Sequence, residues 1–448
     1  MVHANYIVAI DLGTSHLVGM VGKKLANGAI SVLAKETEDA GGCIRRGSVY
    51  NVEETAHRIS RLALKLQNKL SDKLPDFRIE KIYIGVGGQS LRSIEHSEVK
   101  ILPADAVISD EDLRMLDAQC HTYKPEMLDV LGSSPPVYYV DDKPADHPVG
   151  IPGKRIEARY KLIVGRPSIR NLIENSIKRT NVSLAGIIVS PQALADVLFT
   201  PDEKELGCAL INFGAGVTSI VVYRGGTLIH LSVIPLGGRL ITKDLTSLPL
   251  VESEAERLKT THGSALINKE KEDAVIEIAG RKVDPNEINV IIEARAREIV
   301  DNVYARVKTT CEIDSLGSGV ILAGGAAALK NLPELVRQCF RQDVRYSNIR
   351  KEWIDGDEES AGNPDYMTAV SLLIRGTENC ASYYVAPPPP NLPDPPEDDK
   401  TGGEIGGDDT ETGGTGIGSD TGTGDNRTRR RRKSNLIDRF MKDLFKAD

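Results

Sequence analysis

The chain has 448 residues, 40% hydrophobic and 27% charged, the balance of a soluble protein with room for more than one folded core. Its formal net charge of −8 gives the body as a whole no reason to bind nucleic acid or anionic lipid, so any such contact must be local. Six cysteines without a CxxC pair and eight scattered histidines argue against a disulfide framework or a structural metal centre, and fit reduced thiols in a cytosolic protein.

The N-terminus leads into an apolar run without the basic and hydrophobic regions of a signal peptide. No stretch offers the roughly 20 apolar residues that span a bilayer, so membrane contact is expected to be peripheral. Tyr6 to Ile10 reads as a strand that ends in Asp11-Leu12-Gly13-Thr14-Ser15-His16, and Leu17 to Val21 as a second strand. From Glu53 to Leu70 the apolar residues Ile59, Leu62, Ala63, Leu66 and Leu70 recur at helix period. Ile211-Asn212-Phe213-Gly214-Ala215-Gly216-Val217, followed by Thr218 to Tyr223, repeats the first pattern. A helix is predicted from Pro285, with Ile288, Ile291, Ile292, Ile299, Val300, Val303 and Val307 on one side. Gly319 to Leu329 reads as a buried strand running into a Gly324-Gly325 turn and a helix. Strands interleaved with helices predict an α/β fold over residues 1–385.

The repeated hairpin carries chemistry. Glycine turns let backbone N–H groups point at an anion without a Cβ in the way. One such hairpin is an ordinary β-turn; two, some 200 residues apart, predict two related halves that clamp a triphosphate between them. The Gly324-Gly325-Ala326 turn admits a flat ring such as adenine, and read alone is equally a plain β–α connection.

These three motifs, DLGTS, FGAGVTS and ILAGGAAAL, resemble the two phosphate motifs and the adenosine motif of the actin, Hsp70 and sugar-kinase superfamily. Within it, Gly42 to Val49 (GCIRRGSV), Val233 to Gly238 (VIPLGG), Ser253 to Lys259 (SEAERLK) followed by His262-Gly263, and Asn363 to Val370 (NPDYMTAV) resemble the FtsA family of division proteins. The resemblance implies an actin-like duplicated ATPase fold. Residues 1–84, 166–206 and 361–385 would form subdomain 1A, and residues 85–165 an inserted subdomain 1C. Residues 207–246 and 311–360 would form 2A, and 247–310 would form 2B. It implies ATP with Mg²⁺ as cofactors. Asp11 would orient the metal's water shell, and Gly13, Thr14, Ser15 and His16 would line the phosphates on one wall. Gly214, Ala215, Gly216 and Thr218 would line them on the other, with Glu256, Lys259, Gly324, Gly325 and Ala326 beside the adenosine. Glu256 and Lys259, at i and i+3 of one helix, are by spacing alone equally an exposed ion pair.

Two positions depart from the family pattern. Asn212 stands where an acid is usual, a weaker partner for a metal's water shell and a poor general base. His16 stands where a lysine is common. Nucleotide binding, which rests mostly on backbone N–H groups, survives both; the expectation is at most a weak ATPase, with no residue assigned as catalytic.

At Ala386 the composition changes. Residues 386–426 are rich in Pro, Gly and Thr, with ten carboxylates against one lysine, and predict a disordered linker. As a flexible coil it would span about 35 Å root-mean-square. Residues 427–448 hold a basic cluster, including Arg430, Arg431, Arg432 and Lys433. A predicted helix capped by Asn435 follows, and it puts Leu436, Ile437, Phe440, Met441, Leu444 and Phe445 on one face. Basic residues beside two aromatic anchors fit a helix lying in an anionic lipid interface; a helix docking in a protein groove is the other reading.

Together these features predict a membrane-tethered, ATP-binding, actin-like scaffold. By resemblance it would capture the C-terminal peptide of the tubulin-like division protein FtsZ, near Arg295 and Arg297. It would also form filaments with itself, meet later division proteins, and act at the cytoplasmic face of the membrane at the division site. The alternatives are an FtsA-like pilus assembly protein and a kinase-type enzyme of the same superfamily.

Overall fold

Apolar runs that end in glycine turns fold into two antiparallel hairpins, and each hairpin anchors a sheet. The computed structural model describes residues 5–103, 106–267, 276–278 and 281–383. The predicted linker (386–426) and the basic, amphipathic tail (427–448) lie outside the described residues.

In the first half, Asn5–Leu12 pairs antiparallel with His16–Lys24, which pairs antiparallel with Ile30–Asp39. On the other side Asn5–Leu12 runs parallel to Lys81–Val86, and that strand parallel to Ser183–Val189. Ile354–Asp355 completes a six-stranded sheet at the Ile30–Asp39 edge. The Val52–Leu70 helix covers one face. Its N-cap Asn51 accepts the Glu54 N–H at 3.1 Å, and it buries Ile59, Leu62, Ala63, Leu66 and Leu70, as the periodicity predicts.

The second half repeats the hairpin in a larger sheet. Cys208–Phe213 pairs antiparallel with Thr218–Arg224, and Thr227–Ile234 follows. Val320–Ala323 and then Val344–Tyr346 add in parallel beyond Cys208–Phe213. Strand alternation divides this sheet between two cores. Leu210, Val221, Tyr223 and Ile321 belong to the core of the first half. Ala209, Ile211, Ile220, Val222 and Leu322 face a second core built on the helices Gly238–Leu245, Glu252–His262 and Pro285–Lys308. The last of these buries Ile288, Ile292, Ile299, Val300, Val303 and Val307; Ile291, expected on the same side, is only partly covered.

Between the halves, residues 92–165 carry a small core of their own around Leu116, Ile156, Tyr160 and Leu162. Arg92–Ile101 pairs antiparallel with Arg155–Gly165 along ten residue pairs. It then meets the second half's sheet at Arg92, opposite Ser232. All six cysteines are free thiols. Among the described residues no helix is long and apolar enough to cross a membrane.

Candidate functional site

The first glycine turn is closed from below and tied to its neighbours. A Cβ on Gly13 would collide with the His16 carbonyl. The Gly47 N–H donates to Thr14 Oγ1 at 3.1 Å, and the Ala40 N–H to the Ser15 carbonyl at 2.9 Å. The exposed Ser15 hydroxyl and His16 Nδ1 lie 2.9 Å apart. At the base of the turn Asp11 is half-buried, and Ser190, the first residue of the Ser190–Leu198 helix, donates its hydroxyl to Asp11 Oδ1 at 3.0 Å. Burial pushes this carboxyl up to about 6, and the Ser190 bond offsets only part of that. Gly85 makes room for the pair, since a Cβ there would lie 2.6 Å from Ser190 Oγ and 2.9 Å from Asp11 Oδ1.

The second turn is held by a helix. The Gly214 N–H closes it onto the Val217 carbonyl at 2.9 Å. The first amides of the Gly238–Leu245 helix then reach back, Gly238 N–H to Gly214 O at 2.9 Å and Arg239 N–H to Ala215 O at 2.8 Å. Gly237 is required here, because a Cβ would sit 2.6 Å from the Ala215 carbonyl oxygen. Thr218, expected to line the phosphates, has its hydroxyl engaged elsewhere. It is fully buried at the strand start, and its Oγ1 donates to the Leu236 carbonyl at 2.7 Å. The tips of the two hairpins meet, for a Cβ on Gly216 would lie 2.5 Å from Thr14 Oγ1.

The third motif packs against the second hairpin and the helix that braces it. Gly324 takes φ +86°, a left-handed conformation that favours glycine, and its open side is filled by Asn212 Oδ1 and the Phe213 carbonyl. The helix expected directly after this turn is delayed. A short 3₁₀ segment, Gly325–Ala328, comes first, and the α-helix begins only at Leu332. Ala326 packs on Gly238, with a would-be Cβ of Gly238 only 2.8 Å from the Ala326 Cβ. Lys259 Nζ donates to Gly238 O at 3.2 Å, Thr242 Oγ1 at 2.9 Å and Glu256 Oε2 at 2.7 Å. Glu256 and Lys259 are thus an ion pair, yet more than a surface one. Lys259 is largely buried, and both groups are joined to the helix that carries the second turn. Burial raises the Glu256 carboxyl, but hydrogen bonds from Lys259 and Thr242 outweigh it, so the group stays below the usual carboxylate value.

This donor set suits a polyphosphate with Mg²⁺. Among the described residues the amides of Thr14, Ser15, Ala215 and Gly216 give no hydrogen bond to a backbone carbonyl, so they remain for an anion. Mg²⁺ with a nucleotide needs one or two protein carboxylates and otherwise water and phosphate oxygens, and Asp11 is the carboxylate at this end. Ser190, Thr242 and Arg239 were not singled out from the sequence, and Gly237 and Gly238 entered only as part of the VIPLGG stretch, without a role in the site. The signals available were Ser190-Pro191 opening a helix directly after a strand, and the Gly237-Gly238 pair before another.

Arg295 and Arg297 stand on the Pro285–Lys308 helix. Arg295 donates to both Asp244 oxygens, at 2.5 and 3.2 Å, and to Glu298, while Arg297 donates to Glu293 at 2.8 Å. Both guanidinium charges are thus paired with carboxylates of the protein itself. Arg430, Arg431, Arg432, Lys433, Leu436, Ile437, Phe440, Met441, Leu444 and Phe445 lie outside the described residues.

Comparison with known proteins gives a consistent answer. The sequence model of one family, cell division protein FtsA, matches residues 209–371. A cell division protein FtsA from Porphyromonas gingivalis is 34% identical over 382 residues, covering 84% of this chain and 79% of the relative. The Bacillus subtilis protein of the same name is 29% identical over 378 residues, covering 82% of each. Among solved structures, a PilM–PilN type IV pilus biogenesis complex matches with a TM-score of 0.57 at 16% identity, over 83% of this chain and 98% of that one. At that identity the likeness speaks for the actin-like α/β fold alone.

Proposed function

The chain belongs to the FtsA family of cell-division proteins, and from that premise we propose that it is an ATP-binding, actin-like scaffold that links the division ring to the membrane. The observation that carries the nucleotide part is the meeting of two glycine turns from opposite halves at Thr14 and Gly216, with the Asp11 carboxylate at the base of one of them. Backbone amides of both turns would hold the phosphates, and Asp11 would orient the water shell of Mg²⁺, which when bound neutralises phosphate charge. Asn212, in the matching place on the second strand, is neutral and cannot take a proton from water, so hydrolysis is slow. A fluorescent ATP analogue should bind in the presence of Mg²⁺, and steady-state turnover should stay below about 1 s⁻¹, a modest enzyme rate. Faster turnover favours the kinase-type reading, and failure to bind removes the nucleotide reading altogether.

Membrane attachment is assigned to residues 427–448. A helix of this length is marginal alone in water, because nucleation is costly. Half-burying six large apolar side chains in a lipid interface gains about 5–9 kcal/mol before the backbone is ordered. One tail then binds weakly, and a filament of many copies gains avidity. Phe440→Glu should release the full chain from anionic vesicles without changing ATP binding; continued flotation would favour a protein groove as the tail's partner. Family membership supports, as part of this proposal, capture of the FtsZ C-terminal peptide and location at the cytoplasmic face of the division site. Liposome co-sedimentation with and without that peptide tests both. Because Arg295 and Arg297 are paired, charge reversal at both should weaken peptide binding only if the peptide displaces Asp244 and Glu293; unchanged affinity moves the site elsewhere.

A further inference from the structure

The Gly42–Val49 stretch folds into a small hairpin of its own. Ile44–Arg45 pairs antiparallel with Ser48–Val49, which leaves Arg46 and Gly47 as the two turn residues. Both take positive φ, +50° and +69°. Two-residue turns of that kind favour Asn-Gly or Gly-Gly, because a Cβ is strained there. Gly47 must be glycine, since a Cβ would lie 2.6 Å from the Gly87 carbonyl oxygen. Arg46 bears the strain with a long cationic side chain. The hairpin tip is seated on the first glycine turn, where the Gly47 N–H donates to Thr14 Oγ1 at 3.1 Å. It also meets the loop after Lys81–Val86. The Gln89 N–H donates to the Arg46 carbonyl at 3.2 Å, and a Cβ on Gly88 would collide with Ser48 Oγ. The two arginines of the hairpin differ. Arg45 lays its guanidinium on the Tyr50 ring, 3.6 Å from the centroid. Arg46 is exposed and, among the described residues, has no carboxylate partner; its side chain makes one hydrogen bond, of 3.4 Å, to the neutral Gln89 Oε1.

We infer that Arg46 is a phosphate-sensing cation: it leaves Gln89 and pairs with the terminal phosphate of a bound nucleoside triphosphate. The inference rests on the nucleotide reading of the cleft. Arg46 is one peptide bond from the nitrogen that binds Thr14, and Thr14 is where the tips of the two large hairpins meet. A guanidinium suits the task, because its planar fork matches phosphate oxygens and its charge does not titrate. A long hydrogen bond to a neutral amide is weak, and a charged phosphate oxygen is the stronger acceptor. The backbone amides of the glycine turns are fixed dipoles that serve any phosphate. Arg46 adds a full charge on a side chain free to swing, from a backbone held at both Thr14 and Gln89. The hairpin thereby gives the protein a means of telling a triphosphate from a diphosphate.

The test is a titration of the full chain with Mg²⁺ and either ATP or ADP. The wild-type protein should bind ATP the more tightly. Arg46→Gly removes the cation and accepts the positive φ without strain, so the unliganded variant should unfold no earlier than the wild type. It should lower ATP affinity about tenfold, the scale of one hydrogen bond to a charged group. ADP affinity should change less than about threefold. Arg46→Asn, which also tolerates this conformation, carries the same test if the glycine variant folds poorly. Arg45→Gln, one residue away against Tyr50, should leave the ATP-to-ADP ratio as in the wild type. Gln89→Ala frees the Arg46 guanidinium and should not weaken ATP. Equal losses for both nucleotides in the Arg46 variants, an intact ratio in them, or the same loss in Arg45→Gln, overturns the assignment. A wild-type protein that binds neither nucleotide instead overturns the nucleotide reading itself.

Discussion

At matching places on matching strands, the first hairpin carries Asp11 and the second Asn212. The surroundings differ in the same sense. Asp11 is a carboxyl held by a single hydroxyl, Ser190, in a site that disfavours its charge. Asn212 is an amide pressed against the Gly324 turn, and the turn beyond it is braced by the amides of Gly238 and Arg239. One wall thus holds a titratable carboxyl in a site that disfavours its charge, and the other a neutral amide beside a braced turn. On the proposed nucleotide reading, only the first wall needs the acid. The predictions below set the charged wall against the rigid one.

The largest effect is expected from Asp11→Asn. Removing the carboxylate should weaken Mg²⁺–ATP binding roughly 100-fold, the scale of losing one partner of a buried charged contact. The same substitution should stabilise the unliganded protein at pH 8. A carboxyl held near 6 in place of its ordinary 3.8 costs the fold about 3 kcal/mol once fully ionised. Denaturant unfolding and a nucleotide titration on one sample measure both. Loss of stability together with loss of binding would mean that Asp11 is merely structural.

Next in size is the pH dependence. Because the folded Asp11 carboxyl titrates above the unfolded one, the folded chain holds the extra proton between about pH 4 and 6. Its contribution to stability is complete below the unfolded value and lost as pH rises through about 6. Asp112 works in the opposite sense. Hydrogen bonds from Lys100 and Ser109 hold its carboxyl down at about 2, so its contribution is lost as pH falls below the ordinary carboxylate range. The wild-type curve minus the Asp11→Asn curve isolates the Asp11 part, which should slope downward from pH 4 to 6 and be flat above about 7. A flat difference throughout would place the Asp11 carboxyl at its ordinary value.

The rigid wall is tested at Gly237. Gly237→Ala puts a methyl 2.6 Å from the Ala215 carbonyl oxygen and 2.7 Å from that of Gly214. Both are backbone atoms, so the second turn must move. The expected cost is about 1–3 kcal/mol in stability, typical of overpacking, with ATP affinity falling alongside and the apparent titration of Asp11 unchanged. A variant that binds ATP normally would mean the turn tolerates displacement.

Much of this fold was legible in the sequence because its signals are local. Both hairpins announce themselves as apolar runs broken by glycine, and the Val52–Leu70 helix by its spacing. The site was legible only in part. That Ser190 meets Asp11 from 179 residues away, that Thr242 joins Glu256 to Lys259, or that Asp244 already occupies Arg295, are contacts made by the fold and not by neighbours in the chain. Thr218 shows the same limit. Its hydroxyl looks like a phosphate donor in a list of residues, but strand pairing turns it toward Leu236.

The smallest expected effect belongs to Asn212→Asp, which makes the second wall resemble the first. If an acid on both strands is what hydrolysis lacks, turnover should rise. The surroundings limit the gain. The Asn212 Oδ1 and the Phe213 carbonyl both fill the side of Gly324 where a Cβ would stand, so a carboxylate there would add negative charge beside an existing carbonyl oxygen, with no counterpart of Ser190 among the described residues to donate to it. Its carboxyl should therefore titrate above the ordinary value and be only partly ionised near neutrality. We expect turnover to rise about two- to fivefold at pH 7, less than 1 kcal/mol of barrier, and to rise further at higher pH as the new acid ionises. ATP affinity should change little, because the backbone amides proposed to hold the phosphates are untouched. Measured pH–rate profiles of the two proteins decide the matter. A parallel pair of curves would place position 212 outside the reacting end of the cleft, whereas a gain confined to high pH would make the missing charge on this wall the reason for slow hydrolysis.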